Sequence, residues 1–102
     1  LSKKFVCPEI ENYNSHSFYD FTILVNDRDK LIKYLYKNKI EVKVRHPFLI
    51  NEQPVFKDLP KYNLPRAKYY VKKILQLPIH DNITIKEADY VCKKLNSFIK
   101  NN

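Results

Sequence analysis

The sequence predicts a small α+β domain. Its sheet has two to three strands, near residues 18–25 and 40–45, and helices near 28–37, 65–76 and 86–99 pack on it. Three observations lead there. The run FYDFTILV is aromatic and β-branched, as a buried strand is. The segment IEVKVR alternates apolar with charged residues at a period of two. Three other segments repeat apolar residues at helical spacing, behind recognisable start signals.

Taken in order, residues 1–17 form an extended lead-in, marked by Pro8 and the polar run Glu11-Asn12-Tyr13-Asn14-Ser15. The first strand is Phe18 to Val25. Asp27 then stands where an N-cap accepts from the amide of Asp29 or Lys30. The helix runs from Arg28 to Lys37, with Leu31, Ile32 and Leu35 as its apolar stripe. Asn38-Lys39 ends it. With no glycine available, Asn38 is the best substitute for a left-handed terminating residue. The next strand turns Ile40, Val42 and Val44 inward and Glu41, Lys43 and Arg45 outward. The connection is long enough for the two strands to run parallel.

Pro47 stops that strand. A loop follows, carrying Arg45, His46, Asn51, Glu52 and Gln53 around Pro47 and Pro54. Pro54 opens a short helical turn, and Pro65 opens a helix to Gln76. Ala67, Tyr70, Val71, Ile74 and Leu75 form its stripe. Leu77 to His80 is an extended crossing. Thr84 and Glu87 make a capping box for the last helix, whose inner face holds Ala88, Val91, Cys92, Leu95 and Phe98.

The 102 residues are one domain, 1–102. A net charge of +8 attracts anions, but no run of Lys/Arg exceeds two, so solvated helix faces account for most of it. The complete absence of glycine excludes a P-loop, a dinucleotide fingerprint and a nucleophile elbow. Cys7 and Cys92 lie far apart without metal-ligand or CxxC spacing and read as free thiols of a cytoplasmic protein. No apolar run nears the roughly 20 residues of a membrane span. His46 sits at a strand end, His80 in a turn and His16 in the lead-in. None has an evident partner, and no metal or catalytic constellation is visible.

The order of segments resembles the C-terminal domain of the DegT-type sugar-nucleotide aminotransferases. The pieces that carry the likeness are FTILVNDRDKLIKYLYKNKI, the segment HPFLINEQPVFKDL, and LPIHDNITIKEADYVCKKL. It covers about Phe18 to Ile99. It implies the small domain of an aspartate-aminotransferase-like fold, whose large pyridoxal-phosphate (PLP) domain lies outside these residues. It also implies a parent enzyme that is a homodimer, uses PLP and acts on nucleotide-linked keto-sugars for amino-sugar and surface-polysaccharide synthesis. Its partners would be the nucleotide-sugar substrate and its own N-terminal PLP domain. This chain alone would be inactive and bind no cofactor, with neither membrane nor nucleic acid as a partner. The family segment H-Y-P-x-P-L-H-L-Q-P falls on Arg45 to Pro54. Pro47, Gln53 and Pro54 match it, the first family histidine falls on Arg45 with His46 next, and the second falls on Asn51. Arg45, His46, Asn51 and Gln53 are thus the substrate-binding candidates. Lys39 and Lys43 stand where the family pattern has glycine, which implies strain at Lys39 if that position needs a positive φ.

The competing reading is a stand-alone basic α+β module for nucleic acid or an acidic partner. The interleaved Lys33-Tyr34, Lys61-Tyr62 and Lys68-Tyr69-Tyr70 favour it. Against it, tyrosines at stripe positions such as Tyr70 are expected to face the core.

Overall fold

A computed structural model describes residues 4–102. Its elements are β1 (Phe21–Leu24), α1 (Arg28–Lys37), α2 (Pro65–Val71), β2 (Ile74–Leu77) and α3 (Ile85–Asn101), with single 3-10 turns at Ile50–Glu52 and Pro54–Phe56. The α+β class stands, but the sheet is built differently from the sequence expectation. β1 pairs antiparallel with β2, in the register Phe21 to Leu77 and Leu24 to Ile74. Single bridges extend it at either edge, Val6 to Leu24 and Lys43 to Gln76.

The expected strand at 40–45 is therefore reduced to one bridged residue. Its alternation is right: Ile40 and Val42 are buried, Val44 is half-buried, and Glu41, Lys43 and Arg45 are exposed. Its ladder stops because the next amide facing β2, that of Arg45, donates to the Gln76 side-chain Oε1 at 3.0 Å instead of to backbone. Pro47, two residues on, has no N–H to give.

The helix expected over 65–76 ends at Val71, and Ile74–Leu77 is a strand. Two contacts decide this. The Arg28 guanidinium donates to the carbonyls of Val71 (2.6 Å) and Ile74 (3.3 Å), capping the helix end from α1. Pairing with β1 then buries Leu75 and Gln76. Tertiary pairing overrides a helical spacing that Ile74 and Leu75 satisfy only by coincidence. Tyr70 accordingly does not face the core: it is exposed and meets Tyr69 edge to face.

α1 matches its expected bounds, with Leu31 and Leu35 fully buried, but Asp27 makes no side-chain cap bond. Its C-terminus is a Schellman motif: Ile40 N–H donates to Leu35 O (2.9 Å) and Lys39 N–H to Tyr36 O (3.0 Å). The left-handed residue is Lys39 at φ 59°, not Asn38, whose φ is −93°. Asn38 instead donates its side-chain amide to Tyr34 O. α3 starts at the expected capping box, Glu87 N–H donating to Thr84 Oγ1 (3.1 Å) and Thr84 N–H to Glu87 Oε2 (3.4 Å). It buries Leu95 and Phe98 and half-buries Val91 and Cys92. Ala88, expected inside, is exposed. The core joins Phe5, Ile23, Leu31, Leu35, Leu75 and Leu95 across these elements, with Tyr34 against Phe98 at 5.4 Å. Burial of each such side chain contributes about 1.5–3 kcal/mol.

Candidate functional site

The Schellman turn of α1 delivers the segment 39–45 alongside β2. Beyond β2 the chain crosses through Pro78 and His80 to the capped start of α3. These three stretches enclose a groove of about 700 Å³. Its apolar lining includes Ile40, Val42, Leu77 and Val91, and its polar lining includes Lys39, Lys43, Arg45 and Lys86.

Arg45 is the most constrained of these cations. Its backbone is held by the buried Gln76, whose Nε2 also donates to Thr22 Oγ1 (3.3 Å). Its Nη2 donates to Asp20 Oδ1 at 2.8 Å, and its guanidinium lies 5.5 Å from the Tyr19 ring centroid. Asp20 takes one edge of the fork and leaves the remaining donors available to an anion.

Of the four residues singled out by sequence, Arg45 lines this groove, and His46, Asn51 and Gln53 do not. His46 is exposed beyond the end of the segment. Asn51 lies inside the first 3-10 turn, and Gln53 ends that turn and begins the next. Among the described residues, the side chains of His46, Asn51 and Gln53 form no hydrogen bond or ion pair. The loop they occupy exposes Phe48 (67%), Ile50 (75%) and Val55 (78%). No residue between Val42 and Leu75 is buried.

Sequence reasoning passed over Lys39, Lys43, Lys86 and Tyr19 as groove residues. The one available signal was the outward phase of Lys43 and Arg45 along the alternating segment. His80 behaves as the turn residue it was read to be: its Nδ1 accepts from Asn82 N–H at 3.2 Å, while the residue also lines the groove.

The described residues hold no group of three or more His, Cys, Asp or Glu suited to a metal ion. Among the described residues, no helix is long and apolar enough to cross a membrane. Cys7 and Cys92 are free, and burial pushes the Cys7 thiol above its ordinary value, which keeps it protonated and a poor nucleophile. A Schiff-base cofactor needs a desolvated lysine beside a phosphate cradle. Every described lysine is exposed or half-buried. Among the described residues, no lysine has the desolvated setting that covalent attachment of PLP requires.

Comparison with known proteins agrees with this fold. A pleiotropic regulatory protein of Geobacillus stearothermophilus is 30% identical over 97 residues, which are 93% of this chain and 26% of the relative. Sugar aminotransferase CalS13 from Micromonospora echinospora superposes with a TM-score of 0.84 at 14% identity, covering 94% of this chain and 26% of that one. DesV from S. venezuelae, solved with a ketimine intermediate, gives 0.83 at 22% identity, covering 93% and 26%. These neighbours have an aspartate-aminotransferase-like fold, and the match falls on a C-terminal portion of their chains. The chain thus spans about a quarter of the length of the relatives it matches. The DegT/DnrJ/EryC1/StrS aminotransferase family model matches residues 1–96, and the chain belongs to that family.

Proposed function

We propose that this chain is the C-terminal, substrate-shaping domain of a PLP-dependent aminotransferase that acts on nucleotide-linked keto-sugars in amino-sugar and surface-polysaccharide synthesis. The family is generally PLP-dependent. When bound, PLP supplies the electron sink for amino transfer, and the lysine that holds it belongs to a large domain outside these residues. The parent enzyme is a cytoplasmic homodimer in this reading, and this chain alone is inactive.

The observation that carries the proposal is the contrast within the 46–64 stretch. It is rich in apolar side chains yet buries none of them, with Phe48, Ile50, Val55 and Leu59 all exposed. A monomer rarely leaves such a surface uncovered, and a larger partner domain is its natural cover. Closed against that domain, the loop excludes water from the reacting sugar. Asn51 and Gln53 hydrogen-bond its hydroxyls, and Arg45 and His46 hold its diphosphate.

Titration of the chain with PLP, followed by imine absorbance, tests the reading. The expected outcome is the weak, unsaturating signal of surface lysines. A saturable imine abolished by replacing one particular lysine would show a resident cofactor site and overturn the claim of inactivity.

A further inference from the structure

We propose that the outward face of α2, with the turn that follows it, binds single-stranded nucleic acid. Arg66, Lys68, Lys72 and Lys73 would lie along the phosphates, and the rings of Tyr69 and Tyr70 would carry the bases. The face shares no residue with the exposed 46–64 stretch, so the inference stands apart from the aminotransferase-domain reading. The resemblance implies no such partner. The face rests instead on the charges of this chain's own residues.

Charge is spread unevenly along the chain. Between Asp58 and Asp81 there is no acidic residue, and that stretch holds five cations: Lys61, Arg66, Lys68, Lys72 and Lys73. Elsewhere fourteen cations stand against eleven carboxylates. Five of the eight net positive charges therefore fall on α2 and its flanks. From α1 the Arg28 guanidinium reaches the end of α2, but Asp29 lies 3.9 Å from its Nε, so that pair adds no net charge. Cations gathered on one face without carboxylates form the electrostatic footprint of a polyanion.

Helix geometry sorts these residues. Ala67 and Val71, four apart, are half-buried and form the inner side, while Arg66, Lys68, Tyr69, Tyr70 and Lys72 are exposed. Arg66 and Lys72, three residues either side of Tyr69, flank its ring. The Lys73 ammonium lies 4.2 Å from the centroid of that ring and also donates to Asn26 Oδ1, which anchors the pair to the start of α1. Tyr70 meets Tyr69 edge to face at 5.3 Å, yet the two residues stay 47% and 54% exposed. The sequence argument against nucleic acid was that such tyrosines face the core, and here they do not. The same features choose among polyanions. A bilayer surface calls for aliphatic side chains among the cations, and those of α2 turn inward. An acidic peptide answers the charge and leaves the rings unused. Single strands present the base faces that a duplex hides, and cations around exposed rings hold them with little regard to sequence.

The test is fluorescence anisotropy of labelled single-stranded oligothymidylate and oligouridylate, titrated with the chain over a range of salt concentrations. Saturable binding of either strand is expected, with log K falling against log salt at a slope of about −3 for four to five phosphate contacts. Lys68→Gln with Lys72→Gln should make that slope shallower by roughly 1.4. A charge-matched pair on α3, Lys93→Gln with Lys100→Gln, should leave it in place. Tyr69→Leu should weaken binding roughly fivefold or more and keep the slope. Lys68, Tyr69, Lys72, Lys93 and Lys100 are all exposed, so the variants should unfold at the temperature of the parent. No saturable binding of either strand would overturn the proposal. So would equal losses from the α2 and α3 pairs, which would reduce the effect to overall charge. Unchanged affinity in Tyr69→Leu would overturn the role of the rings. Duplex, polyglutamate or phosphatidylserine vesicles bound as tightly as the single strands would overturn the choice of partner. A specific PLP imine would sink the aminotransferase-domain reading and leave this face standing, whereas failure with both strands would sink the face alone.

Discussion

Residues 21–42 together with 75–101 and residues 43–74 divide the chain into two regions with similar ingredients and opposite fates. Both are rich in leucine, isoleucine, tyrosine and phenylalanine. In the first, apolar residues recur at the period of their element, and Ile23, Leu31, Leu35, Leu75 and Leu95 disappear completely from solvent. In the second, prolines at 47, 54, 60 and 65 keep every period short, that of α2 included, and no residue is buried. Hydrophobicity without a period therefore gives a surface here, not a core. The lesson bears on function, because the region that gives the core little beyond the flank of Val44 presents the residues available to a partner.

The sharpest way to break this contrast is a pair of truncations. Leu95→Ala removes a fully buried side chain at the junction of α3 with the rest of the core and should cost about 2–5 kcal/mol. Ile50→Ser, at a residue 75% exposed, should change stability by no more than about 0.5 kcal/mol. Denaturant unfolding of both variants reads the difference. A large loss from Ile50→Ser would show that the middle region packs on this chain after all.

Gln76 joins the two regions, and its replacement is the intermediate case. It is a buried polar side chain that ties the Arg45 amide on one side and the Thr22 hydroxyl on the other. Gln76→Leu keeps the bulk and removes both bonds, with an expected loss of about 1–3 kcal/mol. If Gln76 sets the position of the 39–45 segment, amide shifts should spread to Lys43 and Arg45 and leave α1 unmoved. Shifts confined to β1 and β2 would mean that the bridge at Lys43 suffices.

What the sequence made legible follows the same division. α1 and α3 were readable because their signals are local: Leu31, Ile32 and Leu35 on one stripe, and Thr84 and Glu87 in reciprocal bonds. β2 was misread because its defining partner, Phe21–Leu24, is remote in the chain, while Val71, Ile74 and Leu75 mimic a helical stripe. The same holds at the candidate site. Arg45 was accessible from the alternation before Pro47. Its association with Lys86 and Tyr19 was not, because only the pairing of 43 with 76 and the docking of α3 bring them to one groove.

A small effect of opposite sign is expected at the end of α1. Lys39 ends α1 in the left-handed region, a conformation that costs a residue with a Cβ about 1–2 kcal/mol. Lys39→Gly relieves that strain, offset in part by the greater freedom of glycine in the unfolded chain. The net expectation is a stabilisation of about 0.5–1 kcal/mol, a rise in Tm of roughly 2–8 °C. A residue kept only for the fold would be improved by this change without other consequence. A fall in Tm would instead show that the lysine side chain supports the turn and that no strain is stored there.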